Sequence, residues 1–284
     1  MTRTSTTKLL IAAVSTLVLI ALVAPAQAGR GGSYLKILGA YNNGSSDAIV
    51  AELERAENLP CNSICVDFVA TLTQDDRYEV RQAAAWWFAR RPGPAGALRQ
   101  DAIDTLTTTT DTIEARNAAD VLGTFERPVA IPVLTGAIAR TDLGVEARVA
   151  IARALGDIGH PAAISGIGIA LSDSDAGVRL QAVEAWGQIR FQTDAAPVVA
   201  LATDSDVLVR RAAIGIIGKF ADATARGALE DAVVNDDDPA VRRNAAWSLG
   251  RIGDAASRDV LEVATQDDSP LVRNTAKNAI RSLR

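Results

Sequence analysis

Three ten-residue stretches, VRLQAVEAWG at residues 178–187, VRRAAIGIIG at 209–218 and VRRNAAWSLG at 241–250, superimpose without gaps. Their arginines, Arg179, Arg210 and Arg242, stand 31 and 32 residues apart. The same register runs upstream to Arg148, with Gly156 eight residues on, and to Arg81, and downstream to Arg273. The unit that ends at Gly123 departs from the pattern, with Ala115 in the key position and Arg116 one residue late. Self-similarity at a fixed period of this size is the mark of a stacked repeat, in which each unit buries its apolar face only against its neighbours.

Within one unit the pattern is helical. Asp238-Pro239 supplies a capping side chain and a first-turn proline. Val241, Ala245, Ala246, Leu249 and Ile252 then follow one face of a helix. Gly253-Asp254 breaks it, and Ala256, Val260, Leu261 and Ala264 form a second apolar face before Asp267-Asp268 opens the next unit. Each unit is an antiparallel helix pair, long-range strand signals are absent, and the expected fold is an all-α solenoid of about seven to eight pairs.

These residues resemble HEAT repeats of the short variety named after phycobilisome lyases, whose pattern reads D-x-x-V-R-x-x-A-x-x-A-L-G-x-I-G-D. Residues 147–159, ARVAIARALGDIG, and 238–253 match it closely, and the resemblance extends over residues 75–284 and more weakly over 46–74. It implies a right-handed α–α superhelix. It also implies that the recurrent arginine and the aspartate before it form a hydrogen-bonded ladder between repeats. Arg81, Arg148, Arg179, Arg210, Arg242 and Arg273 hold the arginine position. Asp111, Asp175, Asp206 and Asp238 hold the aspartate position, where Arg77, Gly144 and Ser269 depart from it. Elementary chemistry agrees: an aspartate at a helix start accepts from free N–H groups, and an arginine has five donors to share. A line of arginines with this period is therefore structural rather than a nucleic-acid stripe.

Against a repeating scaffold, departures mark candidate surfaces. The fifth residue after the ladder position reads Trp86, Asp120, Arg153, Glu184, Gly215, Trp247 and Asn278, a row expected to meet solvent or a partner. Trp86 and Trp247 are either interface anchors or rings stacked over the neighbouring unit. Trp186, two places further along its own helix, belongs to the core, and Trp87 belongs to the core or to an aromatic-basic patch. Arg211, Arg243, Lys219 and Arg251 form either a basic strip suited to an acidic peptide or polysaccharide, or a solvated helix face. The acidic connectors 173–175, 204–206 and 236–238 raise calcium, although capping accounts for one aspartate in each and no EF-hand spacing is present. His160 replaces the aspartate of the Gly-Asp turn and reads as a turn residue. In the final unit Lys277 takes a place held elsewhere by apolar residues, as a polar outer face requires.

Residues 1–28 show a basic start, an apolar run from Leu9 to Val23, and Ala26-Gln27-Ala28, the three-part order of a secretory signal peptide. Cleavage after Ala28 is expected, with an uncleaved anchor as the alternative, and no later segment is long and apolar enough to span a membrane. Residues 29–45 read as an irregular leader with a short helix around Leu35 to Ala40, and residues 46–74 as a divergent helix pair. In an oxidising compartment Cys61 and Cys65, four apart, permit a local disulfide; two buried thiols are the alternative.

With one histidine and two cysteines in 284 residues, most histidine chemistry and the common metal sites have too few ligands. Beyond residue 28 the chain carries 27 basic against 34 acidic residues, which speaks against wholesale nucleic-acid binding. The favoured expectation is an exported, non-enzymatic scaffold, without cofactor, that docks a protein or extended peptide on its concave face, in the periplasm or outside the cell. The alternative is an enzyme or subunit resembling the bilin lyases, or another small-molecule-binding repeat protein. Export disfavours the lyase, which acts in the cytoplasm. The related deoxyhypusine hydroxylases require His-Glu pairs that this chain lacks, and the repeat DNA glycosylases require a basic channel.

Overall fold

A computed structural model of the protein describes residues 33–283. Among them are sixteen α-helices and no strand, arranged as eight pairs. The pairs are α1 (Ser33–Asn42) with α2 (Ser46–Arg55), α3 (Ser63–Leu72) with α4 (Tyr78–Ala89), α5 (Pro92–Thr108) with α6 (Thr112–Thr124), and α7 (Ile131–Ile138) with α8 (Val145–Ile158). They continue as α9 (Ile164–Ala170) with α10 (Ala176–Gln188), α11 (Ala196–Val199) with α12 (Val207–Phe220), α13 (Arg226–Asn235) with α14 (Pro239–Ile252), and α15 (Arg258–Ala264) with α16 (Pro270–Ser282). Each even-numbered helix packs on the next even-numbered one, so the second helices form a continuous layer.

The expected sequence signals act as read. Asp111, Asp175, Asp206 and Asp238 each accept two backbone N–H groups from the first turn of α6, α10, α12 and α14. Gly159 and Gly253 end α8 and α14 in the left-handed region, and Ala221 does the same after α12. His160, like Asp222 and Asp254, caps the short turn that follows; its Nδ1 accepts from the Ala162 N–H at 3.1 Å. Val241, Ala245, Ala246 and Leu249 are fully buried, and Trp87 and Trp186 are core residues. Trp186 Nε1 donates to the Asp194 carbonyl at 2.8 Å.

Glycines set the helix spacing. A Cβ on Gly123 would lie 2.9 Å from Ala154 Cα, one on Gly156 2.8 Å from Ala185 Cα, and one on Gly250 2.9 Å from Ala279 Cα. On Gly218 it would strike Ser248 and Trp247. Each lies eight residues after the ladder position, where the next second helix comes closest.

The short helix expected around Leu35 to Ala40 is present and spans Ser33–Asn42, whereas the expected pair is corrected: residues 46–74 do not form one. Instead α2 packs on α1 and α4, and α3 packs on α4. Cys61 and Cys65 are joined by a disulfide at the start of α3, with Cα atoms 5.4 Å apart. Residues 1–28, expected to be a signal peptide, lie outside the described residues. Among those described, no helix is long and apolar enough to cross a membrane.

The sixth pair is the irregular one. Its first helix, α11, has four residues, preceded by an open loop in which Phe191 is 96% exposed. A cavity of about 590 Å³ opens there, lined by Leu171, Arg179, Pro197, Leu201 and Asp204 among others.

Candidate functional site

The recurrent arginines do form a ladder, but not with the aspartates expected. Arg148 Nε donates to Asp173, Arg179 Nε to Asp204, Arg210 Nε to Asp236 and Arg242 Nε to Asp267, each at 2.7 Å. In every case a second guanidinium nitrogen bonds the other carboxylate oxygen. The partner lies in the following connector, two residues before the cap. Asp175, Asp206 and Asp238 are occupied as caps, and Asp111 caps α6 likewise. The carboxylates two places earlier do not cap the first turn and take the ladder arginine, while Asp238 caps α14 and also receives Arg211 of the preceding repeat. The repeated Asp-x-Asp connectors were the available signal. Arg273 closes the series on backbone alone, donating to the Asp267 and Asp268 carbonyls.

Two gaps in the ladder are bridged in reverse. Ile49 and Ala115 occupy the arginine position of α2 and α6. In the connector that follows each gap, a local arginine grips the ladder aspartate and reaches back. Arg77 pairs with Asp75 and donates to the Gly44 carbonyl at 3.0 Å. Arg140 pairs with Asp142 and donates to the Thr109 carbonyl at 2.7 Å. Arg81, whose next connector offers Thr109 in place of an aspartate, turns instead to Asp120 at 2.8 Å. Asp120 is buried between Arg81 and Arg153, which corrects its assignment to an outward row.

Electrostatics follow this geometry. Hydrogen bonds from Arg179 and Arg242 hold the Asp204 and Asp267 carboxyls below their ordinary value. Burial pushes Asp173 up, but bonds from Arg148 and the Asp175 N–H outweigh it. The Arg211 guanidinium, with the capping N–H groups, brings Asp238 down to about 2.

The candidate docking residues separate into tethered and free. Arg211 is ion-paired with Asp238, and Lys219 Nζ donates to the Gly187 carbonyl at 2.6 Å, so both brace the scaffold. Arg243 is exposed and bonds only the neutral side chain of Asn244. Trp247 is 46% exposed; its ring edge lies over Gly218, and Arg251 stands 5.9 Å from its centroid. It is both a stacking residue and an open surface. Gly215, Arg243, Asn244, Trp247 and Thr275 line a recess of about 330 Å³ across α12, α14 and α16. Trp86 is half-buried far down the stack on α4, under Arg90 at 4.7 Å, and does not join that recess.

The basic strip expected at Arg211, Lys219, Arg243 and Arg251 belongs to a wider pattern. Helices α12, α14 and α16 contain nine lysines and arginines and no acid, whereas α4, α6, α8 and α10 each mix both signs. Among the described residues no three histidine, cysteine or carboxylate side chains are grouped to hold a metal ion.

Comparison with known proteins gives the same architecture. The Escherichia coli protein YibA superimposes with a TM-score of 0.57 at 15% identity, over 91% of this chain and 99% of its own. Kap95p, from a complex with RanGDP, gives 0.56 at 15% identity over 91% of this chain, which spans 41% of Kap95p. An engineered protein gives 0.51 at 20% identity, over 84% and 70%. No curated protein sequence matches. Residues 138–205 and 195–281, together just over half of the chain, match the family described as HEAT repeats. With its paired helices, capped connectors and arginine ladder, the chain belongs to the HEAT-repeat family.

Proposed function

We propose that the protein is an exported, non-enzymatic docking module whose second-helix layer forms the concave face of the solenoid and receives an extended protein segment. The observation that carries this is the segregation of charge: three consecutive second helices contain no acid, and four of their cations, Arg243, Arg251, Lys277 and Arg281, have no carboxylate partner among the described residues, in a chain whose net charge is −5. Stability does not need unpaired cations of one sign on adjacent helices, since like charges there repel. A partner of opposite sign removes that cost. Kap95p, which shares the fold, binds RanGDP, and extended surfaces of this kind suit long polypeptide segments. Export is supported by the order of residues 1–28 and by the Cys61–Cys65 disulfide, which belongs in an oxidising compartment.

Two measurements test the proposal. Mass spectrometry of the protein from fractionated cells should find a chain beginning at Gly29 outside the cytoplasm. Affinity capture from envelope and secreted fractions should enrich a partner that a folded Trp247→Ala variant loses. An intact N-terminus in the cytoplasm removes export, and identical capture by both proteins removes the docking surface.

A further inference from the structure

Resting on the docking proposal above, the geometry points to the chemistry of the segment received: we propose that the recess across α12, α14 and α16 is an anchor subsite for an acidic peptide, seating one apolar side chain between Gly215 and Trp247 while flanking carboxylates pair with Arg243 and Arg251.

Gly215 is the first reason. It lies inside α12, where glycine costs roughly 0.5–1 kcal/mol relative to alanine. The ladder-row glycines repay that cost through close helix approach, and Gly218 in the same helix is one of them. A Cβ on Gly215 would meet nothing within 4 Å, so no packing contact demands its absence. What the missing side chain does is keep the recess open. Corresponding positions in other repeats carry Trp86, Asp120, Arg153, Glu184, Trp247 and Asn278, any of which would fill it.

Trp247 is the second. Its packed edge on Gly218 fixes the ring, and the exposed remainder gives the recess a rigid aromatic wall. An aromatic surface held this way binds at little conformational cost.

The cations give the third reason and the sign of the partner. Arg210, Arg242 and Arg211 are neutralised by Asp236, Asp267 and Asp238. Arg243 bonds only Asn244, Arg251 faces the Trp247 ring, and Arg281 bonds only the Asn278 side chain. Lys277 is exposed. Among the described residues none of these four has a carboxylate partner, and all lie on α14 and α16, two of the three helices that line the recess. Charge complementarity therefore selects carboxylates beside an apolar group. A nucleic acid fits less well, because the acidic connectors border the same helices and one aromatic wall offers no run of stacking platforms.

The test is fluorescence anisotropy on the purified protein with four labelled probes. They are a twelve-residue Glu/Asp peptide with a central Phe, the same peptide with Ala for Phe, its Lys-substituted counterpart, and a twelve-nucleotide single-stranded DNA. The acidic Phe peptide should bind, at least about fivefold more tightly than the Ala peptide, with affinity falling as salt rises. Gly215→Leu, which fills the recess without touching a charge, should abolish the Phe preference while leaving the thermal midpoint unchanged or higher. Arg243→Glu, at an exposed position, should weaken binding of both acidic peptides about tenfold or more. Preference for the Lys peptide overturns the acidic partner while leaving a docking surface in place. Tighter binding of DNA, equal binding of the Phe and Ala peptides, or a Gly215→Leu variant that still prefers Phe overturns the anchor subsite. Binding of no probe overturns the inference, and the Trp247→Ala capture experiment then decides the docking proposal separately.

Discussion

A single ladder residue carries two jobs that the sequence presents as one. In Asp204-Ser205-Asp206 the second aspartate caps α12, and the first pairs with Arg179 of the preceding repeat while also accepting the Asp206 N–H at 2.8 Å. Asp204→Ala leaves Arg179, only 13% exposed, with two backbone carbonyls and no ion-pair partner. We expect a loss of about 2–3 kcal/mol in urea unfolding. Glu52→Ala, which removes an exposed pair with Arg55, should cost less than about 0.5 kcal/mol. Equal losses would show that the ladder is no more than surface charge. The same carboxylates set the response to acid. Because Asp204, Asp267 and Asp238 titrate lower in the folded chain than in the unfolded one, their contribution is present above the ordinary carboxylate value and is lost as pH falls through their lowered values, which for Asp238 is about 2. The thermal midpoint should therefore hold from neutrality to about pH 5 and fall steeply below about pH 4. An Asp204→Asn/Asp267→Asn double variant should start lower and fall less over the same range; parallel curves would assign the acid sensitivity to other groups.

At the scale of the helix, periodicity, caps and core faces were legible because each rests on local chemistry: Asp238-Pro239 starts α14 and Gly253 ends it whatever lies beyond. The ladder partner was not legible, because two aspartates stand two residues apart and only the direction of the capped turn distinguishes them. Nor was the N-terminal pairing, since α2 and α3 carry apolar faces of ordinary length and only their packing shows that they belong to different pairs. Glycine roles fall on the same divide. Gly215 and Gly218 occupy one helix, one turn apart, and look alike in sequence. Gly218→Ala forces a methyl into Ser248 and Trp247 and should destabilise by about 1–3 kcal/mol. Gly215→Ala meets nothing and should stabilise by about 0.5–1 kcal/mol through helix propensity. Thermal denaturation of the two variants checks this, and the same sign for both would mean that α12 does not approach α14 as described.

Across the whole molecule the stack is not uniform. Its buried side chains fall into two groups, one running from Ile37 to Ala213 and the other from Ala195 to Ala279, and they meet at α11 and α12. Here α11 is only four residues long, and the loop before it carries Phe191 in the left-handed region, 96% exposed. In a solenoid each repeat is held only by its neighbours, so a short helix at one repeat weakens the link between everything before and everything after it. The junction also separates two kinds of surface, for the second helices with unmixed positive charge all lie at or beyond α12. Limited trypsin digestion should therefore cut first after Arg190, an exposed arginine at the entrance to this loop, ahead of the arginines tied into the ladder. Urea unfolding followed by tryptophan fluorescence should show the same division: Trp247, the only tryptophan beyond the junction, should report a transition at lower urea than Trp86, Trp87 and Trp186 together, isolated by Trp247→Phe. Coincident transitions, with no preferred cut after Arg190, would make the eight pairs one cooperative unit and the α11 junction as strong as its neighbours.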